Sequence, residues 1–67
     1  MPPSKRLAMR LRKIRQERSL TQEALSRRAR ISRVYLAEIE GQRRDQSLSI
    51  VAKLAKALKV KVGDLVD

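Results

Sequence analysis

The stretch SRVYLAEIE, from Ser32 to Glu40, divides into two faces when wound as a helix. Leu36 and Ile39 fall together on one side, which leaves Ser32, Arg33, Val34, Ala37 and Glu38 on the other. Those side chains suit the edges of nucleic-acid bases. A guanidinium such as that of Arg33 pairs with both O6 and N7 of guanine, the Val34 methyls pack on a thymine methyl, and the Glu38 carboxylate accepts from cytosine N4. Glu38 has a second reading, in which it holds Arg33 in place. Ala37 contributes by being small, so that such a helix sits deep in a groove. For Arg33 the plainer alternative is a phosphate contact or a free surface charge.

Groups fitted to phosphate surround that segment. Thr21 and Gln22 stand at the start of an apolar-periodic run, where the amide end of a helix favours an anion. The Tyr35 hydroxyl either reaches a phosphate or belongs to a half-buried packing side chain. Arg43 and Arg44 lie in a polar loop, placed for backbone contacts that position a protein on a duplex without reading its sequence. Arg27, Arg28 and Arg30 add long-range attraction. Tyr35 is the only aromatic residue in the chain, which argues against base stacking as the mode of binding.

The charge agrees with a polyanionic partner. Lys and Arg number 17 against 7 acidic residues, a net +10. The imbalance is concentrated, with 11 basic and 2 acidic residues through Arg33 but 6 and 5 thereafter. Solubility alone does not require such asymmetry, and a field focused on one half of a small domain is the footprint of a nucleic-acid binder.

Positioning these groups takes helices. Leu7, Leu11 and Ile14 recur at helical spacing, predicting a first helix from an N-cap at Ser4 to near Arg18. Residues 1–4 read as a short tail and 5–67 as one domain. Thr21 caps a second, short helix, with Gln22 and Glu23 in its first turn and Leu25 and Ala29 facing inward. It ends at Arg28 or Ala29, and Ala24 at its third position leaves the capping box incomplete. Ile31 plugs the turn, Ser32 caps a third helix through Glu40, and Gly41 stops it. Gln42 to Gln46 is a polar loop. Ser47 opens a fourth helix in which Leu48, Val51, Leu54, Ala55 and Leu58 are apolar and Ser49, Lys53 and Lys56 face outward. Gly63 and Asp64 punctuate a final short turn or helix carrying Leu65 and Val66. Val60, Lys61 and Val62 alternate, but three residues without a pairing partner make a poor strand. The expectation is an all-α fold, a compact bundle of four to five helices.

The segments TQEAL, IEG and SLSIVAKLAKALKV, taken together, resemble the helix-turn-helix domain of phage Cro and cI repressors, the XRE family. The likeness runs from about residue 7 to 66. It implies a lambda-repressor-like five-helix domain whose third helix enters the DNA major groove, usually as a homodimer on a palindromic operator. It also implies a buried ion pair between Arg15 and Glu40 that orients that helix, and it points to Gln22 as a phosphate contact. Two departures stand out. The family usually has glycine in the turn, where this chain has Arg30, and often proline before the fourth helix, where it has Gln46. A left-handed backbone at Arg30 costs roughly 1–2 kcal/mol.

Composition narrows the alternatives. There is no cysteine and no histidine, so neither disulfides nor the usual zinc ligands are present, and no cofactor or metal is expected. No glycine-rich phosphate loop or catalytic constellation appears, which argues against an enzyme. No apolar run approaches the ~18 residues of a membrane span, and charges interrupt residues 1–20 where a signal peptide is apolar. A cytoplasmic protein follows, with duplex DNA as partner and no small-molecule ligand evident. An antitoxin or protein-interaction adaptor on the same fold is the second reading. A cationic membrane-surface peptide is a third, disfavoured because the apolar face of the fourth helix is needed for a core. Leu58, Val60, Val62, Leu65 and Val66 are candidates for a dimer interface or for closing that core.

Overall fold

Each apolar stripe in the sequence becomes the buried face of a helix. The computed structural model describes residues 5–44 and 46–66, and the elements in order are α1 (Lys5–Glu17), α2 (Gln22–Ala29), α3 (Arg33–Glu40), α4 (Leu48–Leu58) and α5 (Val62–Val66). No strand occurs among the described residues, and the Val60–Val62 stretch instead leads into α5. The anticipated tail and the Ser4 cap lie outside the described residues.

Leu7, Leu11, Leu25, Leu36, Ile39, Leu54, Leu58 and Leu65 are the largest side chains removed from water, and all five helices contribute to them. Burying a leucine contributes about 1.5–3 kcal/mol, so this cluster is what holds five short helices together. Ile14, Leu20, Ile31, Tyr35, Val60 and Val62 close its edges. Leu58 and Leu65 lie wholly inside the monomer core, Val60 and Val62 are half-buried at its edge, and Val66, 39% exposed, is the most accessible of these C-terminal apolar residues. Leu48 at the first position of α4 is 75% exposed, whereas Ile50, two residues on, packs against the core.

Three helices start on a hydroxyl. Thr21 accepts from the Ala24 amide at 3.0 Å, Ser32 from Tyr35 at 2.9 Å and Ser47 from Ile50 at 3.3 Å. Each bond satisfies a first-turn N–H that the helix itself leaves unpaired. The Asp64 carboxylate does the corresponding work for α5, accepting from the Lys61 amide at 2.9 Å.

The helix ends share one device. After α1, α2, α3 and α4 a non-glycine residue takes positive φ: Ser19 at 55°, Arg30 at 58°, Gln42 at 59° and Lys59 at 59°. At each end, the amide of that residue and the next bond back to carbonyls three and five residues earlier, as with Arg30 to Arg27 at 3.2 Å and Ile31 to Ser26 at 3.0 Å. This is the Schellman pattern. Arg30 therefore holds the left-handed turn between α2 and α3. Gly41 does not fill that role after α3. Its φ is −85°, which any residue adopts, and the left-handed position falls one residue later on Gln42.

Candidate nucleic-acid interface

Leu36 and Ile39 anchor α3 in the core, and that attachment decides what the opposite face presents. Ser32, Arg33 and Val34 at its start are exposed, Val34 to 60%, whereas Ala37 and Glu38 are half-buried. Arg33, Val34, Ala37, Glu38, Gly41 and Arg43 line one open cleft of about 540 Å³. The four base-facing candidates from Arg33 to Glu38 are thus gathered in one concavity, with the Arg43 guanidinium at its side. Ser32 stands at the N-terminal end of the helix, its oxygen engaged as the cap.

Glu38 does not pair with Arg33. Its Oε1 lies 3.2 Å from Arg44 Nε, and the same guanidinium stacks over the Tyr35 ring at 5.1 Å from the centroid. Tyr35, Glu38 and Arg44 therefore form a surface cluster beside the cleft. The phenol ring packs on the core edge while its outer side supports the arginine. Among the described residues neither Arg33 nor Arg43 has an ion-pair partner, so both cations are free for an incoming anion or base edge.

Below this face lies a charged network with little access to water. Arg15 Nε donates to Glu40 Oε2 at 2.8 Å and Nη2 to Oε1 at 3.0 Å, a two-point pairing, while Nη1 donates to the Leu20 carbonyl at 2.8 Å. Their side chains are 11% and 5% exposed. Gln22 Nε2 donates to the same carboxylate at 3.2 Å. Helices α1, α2 and α3 are thereby joined at one carboxylate, and the Gln22 side chain is held at the N-terminus of α2 next to Thr21. No buried side-chain polar atom lacks a partner among the described residues.

A second cleft of about 240 Å³ is lined by Arg12, Arg15, Gln22, Ala37, Glu40 and Gly41. It shares Ala37 and Gly41 with the first, so the two hollows meet over a floor with almost no side chain. Sequence reasoning did not single out Arg12 or assign Gly41 a place in the site. The spacing of Arg12 from Arg15 on α1 was the available signal, since i and i+3 share a helix face. A Cβ at Gly41 would meet the Ala37 carbonyl oxygen at 3.2 Å, closer than ordinary van der Waals contact, so that the backbone oxygen would have to give way by a few tenths of an ångström.

No helix among the described residues is long and apolar enough to cross a membrane, and no cluster among them has the makings of a metal site.

Comparison with known proteins places this geometry in context. The helix-turn-helix family HTH_3 matches residues 11–65. An immunity repressor protein of Bacillus phage phi105 is 43% identical over 60 residues, covering 90% of this chain and 42% of that protein. An HTH-type transcriptional regulator of Deinococcus deserti is 37% identical over 62 residues, covering 92% of this chain and 48% of its own length. The chain thus spans less than half the length of these curated relatives. Among solved structures, a restriction-modification controller protein from Aeromonas hydrophila superposes with a TM-score of 0.89 at 33% identity, over 91% of this chain and 92% of that one. A hypothetical transcription factor from Neisseria gives 0.91 at 32% identity, over 94% and 72%.

Proposed function

The chain belongs to the HTH_3 helix-turn-helix family, and from that premise we propose that it is a transcription regulator that binds duplex DNA sequence-specifically, with α3 in the major groove. The observation that carries this reading is the cleft along α3. Arg33 and Val34 stand exposed at its N-terminal end, the end from which recognition helices reach base edges. Arg33 reads guanine through its two-point fork, and Val34 meets a thymine methyl. Ala37 and Gly41 keep the floor low enough for close approach, and Ser32 retains its hydroxyl proton for a base or phosphate. Glu38 acts chiefly by presenting Arg44, which it contacts, although its second carboxylate oxygen is available to cytosine N4.

Phosphate contacts come from Arg43, from Arg44 with Tyr35 behind it, and from Gln22 and Thr21 at the start of α2. Arg15 and Glu40 touch no base in this reading; they fix the angle between α1, α2 and α3. One domain of this size makes few specific contacts, so we infer a homodimer on a palindromic operator, with half-sites about one helical turn, ~34 Å, apart. Such a protein acts where the DNA is, inside the cell.

Selection from a random duplex pool tests the proposal, with a palindromic consensus as the expected outcome. Arg33→Ala should flatten the preference at one position of each half-site, whereas Arg43→Ala should weaken binding to every sequence alike. An unchanged preference profile in Arg33→Ala removes the readout assignment, and a pool that never converges removes sequence-specific binding.

A further inference from the structure

The side of α2 away from α3 carries a second charged feature. Between α2 and α4 runs an open trough of about 710 Å³, lined by Arg28, Ala29, Arg30, Lys53, Lys56 and Ala57. Its four cations come from two helices and a turn, and all are exposed. None is in an ion pair among the described residues, and no acidic residue lines the trough. Ala29 and Ala57 form its floor, and the long side chains of Arg28, Arg30, Lys53 and Lys56 form its walls. Four like charges facing one hollow repel one another until an anion enters it.

The trough is separate from the face described above. It shares no lining residue with either cleft along α3. Helix α2 packs against both α3 and α4, while α3 and α4 make little direct contact, so α2 stands between the two features. An occupant of the trough leaves the α3 face open.

We propose that this trough docks an acidic segment of a partner polypeptide, its carboxylates paired with Arg28, Arg30, Lys53 and Lys56. Shape favours a polypeptide over a second nucleic acid. A duplex is a convex cylinder whose phosphates meet only the rim of such a hollow, whereas Asp and Glu side chains on a peptide reach in. Arginine matches carboxylate with two parallel hydrogen bonds, and the alanine floor leaves room for the peptide backbone. The proposal does not require DNA binding.

The experiment is a titration of the isotopically labelled full chain with a short oligoglutamate peptide, followed amide by amide. The expected result is a set of shifts confined to the six lining residues and their neighbours. Lys53→Gln combined with Lys56→Gln should weaken the peptide about tenfold, because both pairs are removed. Lys5→Gln combined with Lys13→Gln removes the same charge from exposed positions of α1 and should leave the affinity within about twofold. The spectra report whether each variant is folded. Equal weakening by the two double variants, or shifts spread over the basic residues of α1 and α3, would mean attraction by net charge alone and would overturn the proposal. A lower salt dependence of duplex binding in the Lys53/Lys56 variant would assign the trough to the DNA backbone instead, and would overturn it equally.

Discussion

Replacing Glu40 with alanine tests how the interface is held in shape. In the folded protein the carboxylate accepts three hydrogen bonds, two from Arg15 and one from Gln22. Its removal strands a guanidinium whose side chain is only 11% exposed. Breaking a buried pair on one side costs about 3–5 kcal/mol. Two features reduce that figure here. Arg15 keeps its bond to the Leu20 carbonyl, and it borders the cleft beside Gln22, so water reaches the vacated position. The expected loss is about 2–3 kcal/mol, set against a total of roughly 3–10 kcal/mol for a domain of this length. In thermal unfolding followed by circular dichroism, about 2 kcal/mol corresponds to a Tm lowered by roughly 8–16 °C. The companion variant Arg15→Met with Glu40→Leu removes both charges and replaces them with apolar groups of similar reach. It should recover most of the loss, since a buried pair is weakly stabilising relative to well-packed apolar groups. A loss below about half a kcal/mol for Glu40→Ala, or a double variant no more stable than the single one, would refute the account of a desolvated pair.

Arg30→Gly should raise stability by about 0.5–1 kcal/mol in urea unfolding, because relief of the left-handed strain exceeds the added freedom of the unfolded chain; a loss instead would mean that the Arg30 side chain makes a compensating contact. Ser32→Ala should lower stability by about 1 kcal/mol through loss of the cap on Tyr35, read in the same titration. Glu38→Gln should change affinity for all duplexes alike, with no altered preference at any base pair, if its main contact is Arg44; a changed preference at one position would make it a reader. Arg43→Ala should reduce the slope of log affinity against log salt by about 0.9, the signature of one fewer phosphate neutralised.

Much of the fold is legible in the residues because helical periodicity and capping agree. Thr21, Ser32 and Ser47 each precede an apolar-periodic run, and each caps the helix it precedes. The all-helical class and the order of elements follow from those signals. Three features resist such reading for physical reasons. Whether Leu58 and Leu65 close a core or an interface depends on where α5 lands, which is a tertiary outcome. The partner of Glu38 depends on the path of the loop after α3, and that path brings Arg44 to it. Arg12 joins the site because α1 crosses beside Gly41; its spacing from Arg15 shows that the two share a helix face, but not that this face meets the end of α3.

The helix ends link fold to interface most directly. In a Schellman ending, the residue after the left-handed position is commonly apolar and returns to the core. Leu20, Ile31 and Val60 do this after α1, α2 and α4, and all three pack on the core edge. After α3 the corresponding residue is Arg43, whose amide bonds the Glu38 carbonyl at 2.8 Å and whose side chain lines the cleft. The same backbone device that elsewhere anchors a loop here turns a cation outward. Neither glycine relieves the strain at any of these turns, since no glycine has positive φ. Arg30 and Lys59 offset part of it by placing positive charge at the negative ends of α2 and α4. Gly41 sits one position before the strained residue, where backbone freedom is not needed, and its missing side chain lowers the floor shared by the two clefts. A domain built for stability alone would have glycine at 42 and an apolar residue at 43. The first departure is common to all four helix ends; the second, a cation where the other ends have an apolar residue, occurs after α3 alone among them and is what sets the α3 face apart.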